Sequence, residues 1–213
     1  MNAKADRHVA YGAAIFLVGV VQFLLGIAVT ALRFGPRAYS PLRNTVSDLQ
    51  AVHCGMVRGN EVCSPLHVVA NSSVAVLGLS MIAGSILIRT AFPAGPKRMM
   101  AIGLLVVAGF AVFVNAFTPE DVTLTGDIVT ALVAFLCANF GLIQMGRAMS
   151  DGRERRRFRL LSELLGTVGL VGLVVSGAGV PGPLGAGGNE WLIVAPFLIW
   201  SFLVGTILTR PRD

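Results

Sequence analysis

The sequence predicts an all-α integral membrane bundle of six spans, with a short extracytoplasmic amphipathic helix and a disulfide-pinned loop between spans one and two. Three observations carry that prediction. The 213 residues are 54% hydrophobic and only 13% charged, where soluble domains carry about 25% charged residues. Six apolar runs are long enough to cross a bilayer, which takes about 20 residues. Between the first two runs, residues 39–71 gather Asp, two His, two Cys, Ser and Asn, side chains that the apolar runs otherwise avoid.

The runs cover 9–32, 66–88, 99–117, 124–145, 160–180 and 191–208, so residues 1–213 make a single transmembrane domain with an outer cap at 34–65. The first run is longer than a signal-peptide core of about 7–15 residues and no small-x-small cleavage site follows it, so it reads as an uncleaved span. The net charge of +6 would suit nucleic acid, but the basic residues sit between apolar runs, where they set orientation instead. Membrane lipids, not nucleic acid, are the expected partners.

Orientation follows from Lys and Arg. Lys4, Arg7, Arg89, Lys97, Arg98, Arg147, Arg153, Arg155, Arg156, Arg157, Arg159, Arg210 and Arg212 fall on one side, against Arg33, Arg37, Arg43 and Arg58 on the other. Both termini are therefore expected in the cytoplasm of a plasma-membrane protein, with 39–71 outside. The basic run RERRRFR (153–159) reads as a positive-inside anchor, with Arg159 and Glu163 spaced for an i, i+4 pair. Gly166, Gly169, Gly172 and Gly177 thin span five into a packing groove.

In the cap, Ser40-Pro41 reads as N-cap and first helical residue. Leu42, Val46, Leu49 and Val52 then form a helical stripe, which predicts an amphipathic helix over 41–53 with Asn44, Ser47, Asp48 and Ala51 on its other face. Cys54 and Cys63 follow on the oxidising side and predict a disulfide; the alternative is a thiolate metal pair with His53 or His67. Cys137 is mid-span packing. Ser64-Pro65 opens span two, where His67 and Asn71 share a helix face. Asn71-Ser72-Ser73 matches a glycosylation triplet, but it lies within an apolar helix.

The other outer ends carry Asn115, Glu120, Asp121, Asp127 and Glu190. Asn44, Ser47, Asp48, His67, Asn71, Asn115, Asp127 and Glu190 form the candidate binding set. Asp48, His67, Asp127 and Glu190 are the candidate catalytic groups, and His67, Asp127 and Glu190 could hold a divalent metal. Acids in a first helical turn also complement the helix dipole, a sufficient structural role for Asp127 and Glu190. His67, Asn71, Asp48, Asp127 and Glu190 are expected to lie together.

The strings YSPLRNTVSDLQ, CSPLHVVANSSVAVLG, TPEDVTLTGDIVTALVAFLCANFGL and GGNEWLIVAPFLIW resemble bacterial membrane proteins of the domain-of-unknown-function family numbered 998, actinobacterial members especially. The resemblance runs over nearly the whole chain. It implies a small multi-span plasma-membrane protein and supplies no reaction, substrate or cofactor. The family pattern fits Asp48, Cys63-Ser64-Pro65-Leu66-His67, Asn71, Pro119-Glu120-Asp121 and Glu190. Members often have His where this chain has Asp127, and Arg where it has Trp191. As a metal ligand Asp127 would offer oxygen for nitrogen; as an imidazole base the role is lost.

Three functions are compatible with this pattern. The first is a binding or structural role, the outer polar cluster holding a lipid headgroup or partner, or holding the helix ends together. The second is an outward-facing, metal-assisted hydrolase or transferase acting on a lipid, although the sequence has no HExxH or comparable ligand motif. The third is transport, which usually places ionisable groups at mid-membrane; here the deep polar residues are Gln22, Ser80 and Asn139, with Pro196 in the outer half of span six.

Overall fold

The structure, a computed structural model, describes residues 3–35, 37–149, 153–177 and 184–209, with side chains placed from residue 7 onward and, after the second gap, from residue 155. The expected end of span five (178–180), the side chains of Lys4 and Arg153, and Arg210 and Arg212 lie outside the described residues.

Seven helices are described. Six are long and apolar enough to cross a membrane: α1 (Ala3–Ala31), α3 (His67–Ile88), α4 (Pro96–Asn115), α5 (Leu124–Arg147), α6 (Arg153–Gly177) and α7 (Gly185–Leu208). The seventh, α2 (Val46–Gln50), belongs to the cap, with a two-stranded antiparallel hairpin, β1 (Gly55–Val57) and β2 (Asn60–Val62). The chain is a multi-pass membrane protein. Its spans pack in chain order, α1 on α3, α3 on α4, α4 on α5, α5 on α6 and α6 on α7, and α7 closes the ring against α1. The cap sits where α1 ends and α3, α5 and α7 begin.

Close packing explains the glycine content. Gly12, Gly19 and Gly26 recur at the heptad spacing along α1 and face α3. A Cβ at Gly12 or Gly26 would come within 2.7 Å of Leu87 Cβ or Ser73 Cβ. On α6, Gly166 and Gly169 face Asn139 of α5 and Gly172 faces Leu192 and Ile193 of α7, as the groove reading expects; Gly177 faces open space. At the end away from the cap, Trp200 is buried against Phe16 and Phe158 and donates to Ser162 Oγ at 2.9 Å, tying α1, α6 and α7 together. Arg159 and Glu163 pair at 3.9 Å as their spacing predicts.

The cap departs from expectation in three places. The helix predicted over 41–53 is confined to Val46–Gln50, because Thr45 and not Ser40 caps it. Thr45 and Asp48 make a capping box: Asp48 N–H donates to Thr45 Oγ1 at 3.0 Å, and Thr45 N–H donates to Asp48 Oδ2 at 3.2 Å. Ser40 starts a turn instead, its carbonyl accepting the N–H groups of Arg43 and Asn44. All five helical residues are buried, so the polar face is covered as well as the apolar one, while Leu42 and Val52 are exposed.

Second, the segment between the bonded Cys54 and Cys63 is a β-hairpin rather than a plain loop. Its turn is Arg58-Gly59, both at positive φ (49° and 81°), the backbone that two-residue hairpins demand.

Third, α7 begins at Gly185, six residues ahead of the predicted 191, through a run poor in helix propensity. The cap backbone selects that run. Gly188 N–H donates to the Leu42 carbonyl at 3.2 Å, and a Cβ at Gly187 would press into the carbonyls of Pro41 and Asn44. Only glycine lets the two backbones meet. The helix runs on unbroken through Pro196.

Candidate functional site

α2 is short, and each of its ends is completed by another part of the chain. At the N-terminal end, Val46 N–H donates to Glu190 Oε2 from α7 at 2.5 Å. This satisfies one of the backbone donors that a helix start leaves unpaired. Asn44 Nδ2 donates to Asp48 Oδ2 at 2.9 Å, which fixes the carboxylate of the capping box. At the C-terminal end, Ser64 Oγ donates to the Leu49 carbonyl at 2.7 Å and Asn71 Nδ2 to the Gln50 carbonyl at 3.1 Å.

The expected cluster is therefore divided between the two ends of α2. Asp48, Asp127 and Glu190 come together with Asn44, Ser47 and Asn115 on the N-terminal side. His67 and Asn71 lie with the other end: His67 Nδ1 faces the Ser64 carbonyl at 3.0 Å, which requires the Nδ1–H tautomer, and neither residue bonds to the acids.

Asp127, in the first turn of α5, is buried and well supplied with donors. Ser47 Oγ reaches its Oδ1 at 3.2 Å and Asn115 Nδ2 reaches the same oxygen at 3.0 Å. Its Oδ2 faces Arg58 Nη2 at 3.5 Å. Arg58 extends from the hairpin turn and also places Nε 3.5 Å from Glu120 Oε2. One guanidinium thus bridges two carboxylates from the α4–α5 connection and α5. Glu120 is only 4% exposed, and neither of its oxygens has a hydrogen-bond donor. Burial, and after it the neighbouring Asp48, pushes its carboxyl up to about 8. A proton held there supplies the donor that two facing carboxylates otherwise lack.

Asp121 does different work. Burial would raise its carboxyl, but the N–H groups of His53 and Val52 outweigh it and hold the pKa below the ordinary value. Its two oxygens take those N–H groups at 2.8 and 3.1 Å, and His53 Nδ1 lies 2.9 Å away, so it latches the cap to the α4–α5 connection. Tyr39 donates to the Thr45 carbonyl at 3.3 Å; burial, and then the Glu190 charge, raise its phenol.

Two cavities meet at Glu190. One, of about 300 Å³, lies between α5, α6 and α7 beneath the cap. Thr45, Ser47, Arg58, Asp127 and Glu190 form its polar end, and Ile128, Leu132, Phe135, Leu173 and Ile193 are among its apolar walls. Ile128 and Leu132 are exposed, so the cavity opens on the lipid-facing side of α5. The other, of about 60 Å³, lies within the bundle, lined by Ser47, Gln50, Asn115 and Glu190 among apolar side chains. That is room for one or two water molecules, and the buried Gln50 Nε2 facing it has no partner.

Among the described residues no group of three or more His, Cys, Asp and Glu is placed to hold an ion, and the proposed set His67, Asp127 and Glu190 is separated by α2. Ser47 donates its hydroxyl to the Asp127 carboxylate, and among the described residues no imidazole bonds to it.

The sequence reading missed Arg58 as the bridging cation, Asp121 as a latch and Glu120 as the carboxyl without a donor. Arg58 carried one available signal: an isolated basic residue followed by glycine, midway between two cysteines.

No curated protein and no solved structure matches the chain. Residues 9–207, which hold the cap, the acids at the span ends and all but the outermost residues of the first and last spans, match the family described as "Protein of unknown function (DUF998)", and the chain belongs to that family.

Proposed function

We propose that the protein binds a membrane amphiphile at its cap, the headgroup against the polar cluster and the chain along α5 and α6. The observation that carries this reading is the 300 Å³ cavity, with charged and hydroxyl groups at one end and apolar walls that open toward lipid. Ligand sites combine a mostly apolar lining with a few convergent polar groups. The excess of Lys and Arg at the opposite end supports a cap facing out of the plasma membrane, with both termini cytoplasmic.

Native mass spectrometry of the protein, released from detergent at increasing activation energy, tests the reading. The expected result is a retained lipid whose occupancy falls when Leu173→Trp fills the cavity. Lipid adducts equally abundant in wild type and Leu173→Trp would sink it. Topology reporters fused after residue 213 test the orientation; an extracytoplasmic signal would reverse it.

A further inference from the structure

Gln50, the last residue of α2, is 2% exposed. Its backbone carbonyl takes the Asn71 side chain, but its own Nε2 has no hydrogen-bond partner. Buried donors are almost always paired, so an orphan of this kind marks a place for a group that the chain does not itself supply. Gln50 lines the inner cavity of about 60 Å³. The orphan is a neutral amide and owes nothing to the charge of the acids.

The inner cavity lies within the ring of spans, beneath α2. Phe23, Leu77, Val112, Phe135 and Val194, one from each span except α6, are among its apolar walls, and Ser47, Gln50, Asn115 and Glu190 are its polar lining. It shares Ser47, Ala131, Phe135 and Glu190 with the larger cavity that opens toward lipid. The two are contiguous along those side chains, so a small polar group on the end of a chain has a way in from the membrane.

The type of group follows from what Gln50 and its neighbours leave unpaired. Gln50 Nε2 needs an acceptor. Two acceptors stand beside it in the lining: Glu190 takes the Val46 N–H on Oε2 and no described donor bonds to its other oxygen, while Ser47 Oγ gives its proton to Asp127 and keeps its lone pairs. A hydroxyl meets both needs, accepting from Gln50 and donating to Glu190 or Ser47. An ether only accepts, and an ammonium only donates. A phosphodiester is too large for room that holds one or two water molecules at about 30 Å³ each. Arg58, the one basic residue among the described residues that line the two cavities, is already shared between Glu120 and Asp127. Resting on the amphiphile reading above, the geometry points to an uncharged amphiphile with a hydroxyl headgroup, a long-chain alcohol, seated with its oxygen at Gln50 Nε2 and its chain in the outer cavity.

The test uses the full-length protein in lauryldimethylamine oxide, a detergent without hydroxyl groups, and four probes of one chain length: hexadecanol, its methyl ether, hexadecylamine and palmitate. Retention is read by native mass spectrometry. Hexadecanol is expected to be retained about tenfold over each of the others, the size of one lost hydrogen bond. Gln50→Leu, similar in volume but without an amide, is expected to bring the alcohol down to the level of the ether. The comparison among probes is made on the wild-type protein, so it stands whether or not the variant folds. A preference for the alcohol that survives in folded Gln50→Leu overturns the assignment to Gln50. Preference for the ether, the amine or palmitate overturns the hydroxyl inference and leaves the amphiphile reading intact. Equal retention of all four does the same and leaves Gln50 to a resident water. Retention of no probe overturns both.

Discussion

Glu190, in the second turn of α7, accepts the backbone N–H of Val46, the first residue of the cap helix and 144 positions earlier in the chain. The bond joins the last span to the segment between the first two. It also explains why an acid at this position has a structural role whatever it binds.

Removing the acceptor should therefore loosen the cap. Glu190→Ala leaves the Val46 donor unsatisfied in a partly buried place and is expected to cost about 1–3 kcal/mol. Glu190→Gln retains an acceptor and should cost less. Thermal unfolding in detergent reads the difference. Equal losses in the two variants would mean that the hydrogen bond contributes little.

Arg58 and Glu120 should couple. Arg58→Ala strips the cation from two buried carboxylates and is expected to destabilise by about 1–3 kcal/mol, reduced from the figure for fully buried pairs because the arginine is partly exposed. Above about pH 8, where the Glu120 carboxyl is ionised, Glu120→Gln removes a charge that lost its partner with Arg58, so the double variant should there be more stable than additivity predicts. A double-mutant cycle that closes to zero contradicts the bridge.

Stability should fall as pH rises toward 8. The folded Glu120 carboxyl is raised to about 8 from an ordinary 4.5, so the folded state keeps a proton that the unfolded chain has released. Its contribution is complete below about 4.5 and is lost as pH climbs through about 8. Asp121 acts in the opposite sense: its lowered pKa gives stability above an ordinary 3.8 that disappears as pH falls below it. The expected observation is a melting temperature that declines between about pH 5 and 8 and flattens in Glu120→Gln. A variant that keeps the wild-type slope would assign the titration to another group.

The glycine contact between α7 and the cap predicts a size limit. Gly187→Val drives a branched side chain into the carbonyls of Pro41 and Asn44 and should cost about 3 kcal/mol or more. Gly103→Val on α4, where nothing lies within 4 Å, is the control and should be near neutral. Protease sensitivity of the cap, compared in the two variants, separates them.

The spans were legible because each is a local signal: an apolar run of sufficient length needs no knowledge of its neighbours. The Cys54–Cys63 bond was legible from spacing and compartment. What escaped notice depended on distant partners. The stripe from Leu42 to Val52 fits a helical period, but the backbone follows the Thr45–Asp48 capping box, and the glycines at the start of α7 hold 41–44 in a turn. That glycine run read as a loop because its helical state is stabilised by the cap rather than by propensity. Arg58 has no periodic context, and both its partners lie beyond residue 119. Asp48, Asp127 and Glu190 were found as individual residues; their separation from His67 was not, because α2 comes between them.

Two of the fastenings of the cap close at different times in the life of the chain. Cys54 and Cys63 are neighbours in sequence, so their hairpin can form as soon as it emerges from synthesis. The acceptor for Val46 is residue 190, and the glycines that seat 41–44 precede it by only a few positions. The cap thus waits, clasped but unseated, until almost the entire protein has been made. Assembly is completed after translation, and a chain truncated before α7 should display an oxidised hairpin over an open bundle.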